Sequence, residues 1–271
     1  MTEKVLLRTP AEIFENGKWN KVDVVITDQS ISLGDNRILL REIEDLEKVD
    51  VGGKKAIRIK RGEDVIVSFP EKVFNQIFKY LAFNLKSDRF AVYFLSPATV
   101  GGVVVKDAKW EKGYLSITDE AIWFLSPSKQ IRIPFSNLGS VEKDVRSVGG
   151  KDRVVLVVGH VENGEVITSF ILCPETTLEM LEDYLRRLID KAKPKAKLSE
   201  IEEQIAMMLY SGLSSTDIES ILGITTDELN NYFDRLVSLG LARVVKIRKE
   251  LQLTPKGVAL VNEIMKKGGR R

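Results

Sequence analysis

Trp19-Asn-Lys-Val-Asp-Val-Val-Ile-Thr-Asp28 and Trp110-Glu-Lys-Gly-Tyr-Leu-Ser-Ile-Thr-Asp119 are two copies of one pattern, with seven positions from tryptophan to isoleucine in each. The copies lie 91 residues apart. Val51-Gly-Gly-Lys54 returns as Val148-Gly-Gly-Lys151 at an offset of 97, Ser68-Phe69 as Ser169-Phe170 at 101, and Pro70 as Pro174 at 104. Order is kept while the offset grows slowly, as small loop insertions in a duplicated domain would leave it. Repeats of about 90 residues are a pair of domains and not a solenoid.

Around the first copy, Val22, Val24 and Ile26 alternate with Lys21, Asp23 and Val25, the period of a half-buried strand. Further strands are expected at 4–8, 30–33, 38–40, 43–46, 55–60 and 64–69, with a hairpin turn at Gly34-Asp-Asn36. After Pro70 the period changes. Phe74, Ile77, Phe78, Leu81 and Leu85 follow helical spacing, so a helix is expected over 71–86, with the proline at its start. The second copy repeats the plan, with strands at 102–108, 113–118, 121–125, 130–135, 153–160 and 165–172. A helix follows from about 176 to 190, lined by Leu178, Leu181, Tyr184, Leu185 and Leu188. About seven antiparallel strands closed by one helix is the plan of pleckstrin-homology-like folds. Trp19 and Trp110 are expected inside the two barrels. Trp123-Phe124 puts neighbouring rings on opposite faces of a strand, which leaves open whether one is exposed as a contact surface.

Lys191-Ala-Lys-Pro-Lys-Ala-Lys197 reads as a solvated linker. Beyond it, Ile201, Ile205, Met208 and Leu209 mark one helix, and Ile218, Ile221 and Leu222 the core side of a second. Thr225-x-x-Glu228 is a capping box that opens a third, with Leu229, Phe233 and Leu236 inward. A hairpin over 242–254 and a last helix from Pro255 complete the order of a winged helix. The expected class is therefore α+β: pleckstrin-homology-like β-barrel or sandwich domains at 1–88 and 89–191, a lysine-rich linker at 192–197, and a winged helix-turn-helix at 198–271.

Winged helices often hold DNA, so charge decides the reading. Residues 198–240 carry eight acids against Arg235 alone. Asp227, Glu228, Asn230, Asn231, Asp234 and Arg235 are the outward positions of the third helix, a face that phosphates would repel. We read it as a partner-binding face for protein. The wing and tail are basic, and Arg243, Lys246, Arg248 and Lys249 form a possible contact surface that touches backbone phosphate without reading bases. A DNA-binding transcription regulator with N-terminal sensor domains is thus the alternative. Lys54, Lys55, Arg58, Lys60 and Arg61 could grip a phosphate head group, but a solvated hairpin is the favoured reading. Nucleic acid and membrane are both disfavoured as partners, and a homodimer is compatible with the sequence.

Composition removes other classes. The chain has 271 residues, 44% hydrophobic and 30% charged, with a formal net charge of +2. No run approaches the ~18 apolar residues of a membrane span, and Met-Thr-Glu-Lys does not read as a secretory signal, so the cytoplasm is expected. One histidine and one cysteine leave no metal set and no internal disulfide. His160, beside Gly159 at a strand end, is expected at the surface, and Cys173 in packing. No catalytic motif and no cofactor fingerprint is present, so catalytic, cofactor-binding and metal-binding residues are all expected to be absent and the chain not to be an enzyme.

Two related β-rich repeats followed by a winged helix resemble the archaeal taxis adaptor family CheF. The likeness covers nearly the whole chain, including the Ile-Thr-Asp strands and the Leu241-Ala-Arg…Leu-Thr-Pro-Lys-Gly257 end. It implies a non-enzymatic adaptor of archaeal chemotaxis, taking the signal from the phosphorylated response regulator CheY to the switch proteins of the archaellum motor. The family supplies no catalytic residue to carry over.

Overall fold

The computed structural model describes residues 3–192, 197–246 and 250–268. The protein is α+β, with two large antiparallel sheets and six helices among these residues. The first repeat holds β1 (Val5–Glu15), β2 (Lys18–Thr27), β3 (Ser30–Leu33), β4 (Asn36–Leu39), β5 (Asp45–Val51), β6 (Lys54–Lys60), β7 (Val65–Ser68) and α1 (Glu71–Ala82). The second holds β8 (Asp88–Val100), β9 (Val103–Val104), β10 (Glu111–Ile117), β11 (Ala121–Leu125), β12 (Gln130–Pro134), β13 (Leu138–Val148), β14 (Lys151–Glu162), β15 (Glu165–Leu172) and α2 (Glu175–Ala192).

The strand order of the first sheet is β4-β3-β2-β1-β7-β6-β5, and that of the second β12-β11-β10-β8-β15-β14-β13, with β9 as an extra strand on β8. Strand for strand the two orders correspond. Both sheets are open, ending at β4 and β5 and at β12 and β13, so the barrel form of the expectation is corrected. The Val-Gly-Gly-Lys echoes are the β5–β6 and β13–β14 turns. Their glycines sit at φ between 60° and 79°, where a side chain would be strained. Two strands were illegible in sequence. β8 begins at 88 and not at 102, and β13 falls where no strand was expected.

The chain divides into two compact units, residues 1–91 with 113–132, and 92–112 with 133–271. In the first, Ile13, Val24, Ile26, Ile31 and Ile57 face Ile77, Phe78 and Leu81 of α1. Ala121, Trp123 and Leu125 of β11 enter the same core. Trp123 lies 5.9 Å from Phe78 between ring centroids. Its indole N–H donates to Asp45 Oδ1 at 2.8 Å. Arg132 holds Oδ2 of the same carboxylate through Nε at 2.8 Å and Nη2 at 2.5 Å. Trp123 and Phe124 are both fully buried, so neither ring is a contact surface. Trp19 and Trp110 do not fill cores. Both are half-buried, Trp19 against Phe14 at the end of the β1–β2 hairpin and Trp110 against Phe170.

In the second unit α2 buries Leu178, Leu181, Leu185 and Ile189. It is followed by α3 (Glu200–Tyr210), α4 (Ser215–Leu222), α5 (Thr226–Ser238), β16 (Ala242–Lys246), β17 (Glu250–Leu253) and α6 (Pro255–Gly268). Of the expected linker, residues 193–196 lie outside the described residues. Ile205, Ile218, Leu229, Phe233, Leu236 and Val258 form the core of these helices, and Val161 of β14 belongs to it. α6 approaches Gly139 of β13 so closely that a Cβ there would stand 2.8 Å from Val258 Cγ1. His160, next to Val161, is 3% exposed. The expected surface histidine is therefore a buried one, on a strand that lies between β13 and β15.

Candidate partner-binding surface

Three helices begin with the same local device. Ser199 with Glu202, Ser214 with Asp217 and Thr225 with Glu228 each exchange side-chain and backbone bonds at a first turn. Such boxes satisfy N–H groups that a helix leaves orphaned. At α5 the Thr225 N–H and hydroxyl both donate to Glu228 Oε2 at 2.8 Å. The Thr225 backbone N–H, then its hydroxyl, holds the Glu228 carboxyl below the usual carboxylate range. Glu228 therefore serves the cap first.

Arg235 is also engaged. Its Nε lies 2.6 Å from Glu202 Oε1, and the Glu202 side chain is 3% exposed. The other Glu202 oxygen accepts from Ser199 N–H at 2.7 Å. One buried carboxylate thus caps α3 and ties it to α5. Arg235→Ala leaves that carboxylate without its cation. We expect a loss of about 1–3 kcal/mol in urea denaturation, whereas Asn231→Ala should stay within about 0.5 kcal/mol.

The remaining outward positions group on one side. Asp227, Asn230, Asn231 and Asp234 recur at helical spacing, Asn230 half-buried and the others exposed. On α4 one residue departs from its expected place. Ile221 of α4, expected in the core, is 59% exposed, and only Ile218 of that helix is buried. Gly223, at φ 65°, ends α4. Of the basic set, Arg243 is exposed on β16, beside Val244 and Val245 at 51% and 40% exposure. Arg248, Lys249 and the Lys246 side chain lie outside the described residues.

The Lys54–Arg61 hairpin has few free cations. Lys54 pairs with Glu12, Arg58 with Glu47 at 3.0 Å, and Lys60 with Glu120. Arg61 donates to Asn36 Oδ1 at 3.2 Å. Cys173 is half-buried, and burial pushes its thiol up to about 11, away from the thiolate a nucleophile requires. No group of three or more acidic, histidine or cysteine side chains among the described residues could hold a metal ion. No helix among them is long and apolar enough to cross a membrane.

Comparison with known proteins gives these surfaces their setting. The family described as archaeal chemotaxis signal transduction system protein F matches residues 16–191, more than half of the chain. The chain belongs to this family. The taxis protein CheF1 of Halobacterium salinarum is 24% identical over 263 residues, covering 92% of this chain and 90% of that protein. A domain family of unknown function matches residues 197–266, which hold the α5 surface. The protein F family is one of taxis signalling and not of known enzymes, so the chain has a role in archaeal chemotaxis signal transduction, where its partners are proteins of the taxis system.

Proposed function

We propose that the protein is a non-enzymatic cytoplasmic adaptor that links phosphorylated CheY to the switch proteins of the archaellum motor. The observation that carries the reading is the Asp227–Asp234 face of α5 in a member of a chemotaxis family. It is a polar, net acidic helix surface whose only cation is tied to Glu202. Such a face suits a folded cationic partner and repels polyanions. The strand order with its closing helix supports a pleckstrin-homology-like plan for each repeat, over 1–88 and 89–191. The succession α3-α4-α5-β16-β17-α6 supports a winged helix over 198–271.

The test is titration of the protein with phosphorylated and unphosphorylated CheY by calorimetry. Preferential binding of the phosphorylated form is expected, and equal or absent binding to both would overturn the adaptor reading. The double variant Asp227→Lys, Asp234→Lys should weaken binding of whichever partner uses α5, CheY or a switch protein, by about tenfold or more. Retention of duplex DNA in a mobility-shift titration at about 50 mM salt would instead favour the wing and tail as the working surface.

A further inference from the structure

An open sheet leaves the backbone of its end strands unpaired on one side, a template for another strand. Of the four strands that end the two large sheets, β4 has four residues, β12 five, β5 seven and β13 eleven. β12 closes on Pro134, and β5 carries Lys48 at its centre. A second β5 laid antiparallel about that point would set lysine against lysine. The outer half of β13 has neither defence. Leu138, Gly139 and Val141 are buried, but from Glu142 to Val148 every residue is exposed except Asp144 and Val148, which are half-buried.

Register decides which groups face the open side. Val148 and Lys151 are paired across the two-residue Gly149-Gly150 turn, and the ladder runs on without a shift to Ser140 opposite Gly159. Residues that flank such a turn exchange both backbone bonds, and every second pair along the ladder does the same. Arg146, Asp144 and Glu142 therefore bond to β14, while Ser147, Val145 and Lys143 turn their N–H and C=O groups outward. The Val145 N–H agrees with this. It donates to Asp144 Oδ1 at 2.7 Å, a side chain that stands where a neighbouring strand would be. Val145 is 58% exposed, and Val154, directly across the ladder on the same face, is 45% exposed. On the opposite face Arg146 Nη2 lies 2.5 Å from Asp144 Oδ2.

We propose that β13 pairs with β13 of a second copy of this chain, antiparallel and centred on Val145. In that register Val145 meets Val145 and Lys143 meets Ser147 on either side, so the outward groups make about six backbone hydrogen bonds. Asp144 stands opposite Arg146 of the other copy, twice, and the pair each chain makes within itself is exchanged for two across the axis. Val154, Val145 and their counterparts become one continuous apolar row. Centring on Lys143, Asp144 or Arg146 instead would oppose like charges on the axis. The proposal does not depend on the taxis partners named above.

Sedimentation velocity of the full chain from about 1 µM to about 1 mM should show its mass doubling. Asp144→Arg sets arginine against Arg146, and Arg146→Asp sets aspartate against Asp144. Each alone should weaken the dimer by about tenfold or more. Mixed one to one, the two variants restore an arginine–aspartate pair at both places, and the mixture should regain the native affinity. Val145→Pro removes the central outward N–H and no bond to β14. It should weaken the dimer by about tenfold while far-ultraviolet dichroism stays unchanged. A monomer throughout would leave this edge to a strand of another protein and overturn the proposal. So would a dimer indifferent to these substitutions, or a mixture no tighter than its parts.

Discussion

Asp45→Ala is expected to cost about 3–5 kcal/mol and to lower the first unfolding transition accordingly. Asp45 is fully buried, and its two oxygens receive the Trp123 indole and the Arg132 guanidinium. Arg132 is 14% exposed, so removing the carboxylate strands a nearly buried cation and an indole donor together. Glu120 stands 3.6 Å from the same guanidinium but is half exposed, and it replaces little of what is lost. Trp123→Phe keeps most of the apolar contact and removes only the N–H, so about 1–2 kcal/mol is expected. Urea denaturation followed by tryptophan fluorescence measures both. A loss below about 1 kcal/mol for Asp45→Ala would show that the carboxylate is no better held than a surface charge.

Acid should destabilise the second unit through a single residue. Burial lowers the His160 imidazole from 6.5 to about 4. Its Nδ1 has no hydrogen-bond partner, and the Glu162 carboxylate is 4.0 Å from Nε2. The folded value lies below the unfolded one, so the unfolded chain takes up the proton first. The contribution is complete above pH 6.5 and is lost as pH falls towards 4, to a total of about 3 kcal/mol. His160 is the one histidine in the chain, which makes the window attributable. Stability should be measured by urea denaturation from pH 7 to 4.5 in the native protein and in His160→Gln. The native protein should lose stability over this range more steeply than the variant. Equal slopes would mean that the imidazole titrates freely.

The sequence was legible where a short pattern dictates local geometry. Trp19…Asp28 and its echo are β2 and β10, the Val-Gly-Gly turns are tight hairpins, and the Thr225–Glu228 box opens α5. It was illegible where a residue's surroundings come from distant chain. Ala121–Leu125 is an unbroken apolar run because both of its faces are covered, yet alternation alone would leave Trp123 or Phe124 outside. His160 reads as a surface residue from its chain neighbours, but it sits on β14, an interior strand between β15 and β13, and is buried. The tip of β13 is exposed on both faces, so Glu142 to Ser147 carries no period for a reader to find. Within the candidate surface, the capping role of Glu228 could be read from spacing. The tie between Arg235 and Glu202 spans 33 residues and could not. Ile221 had helical spacing with Ile218 and Leu222, yet of these only Ile218 is buried and Ile221 is 59% exposed.

The glycine at 139 has a bearing on how the protein can be taken apart. Its missing side chain is what lets α6 lie on β13, and Val161 and Val166 are covered by the same helices. A shortened chain ending at residue 192 would bare that apolar strip to water, and its stickiness in a binding assay would come from the cut and not from any native partner. Dissection of this protein is therefore better done by point substitution on the intact chain than by truncation.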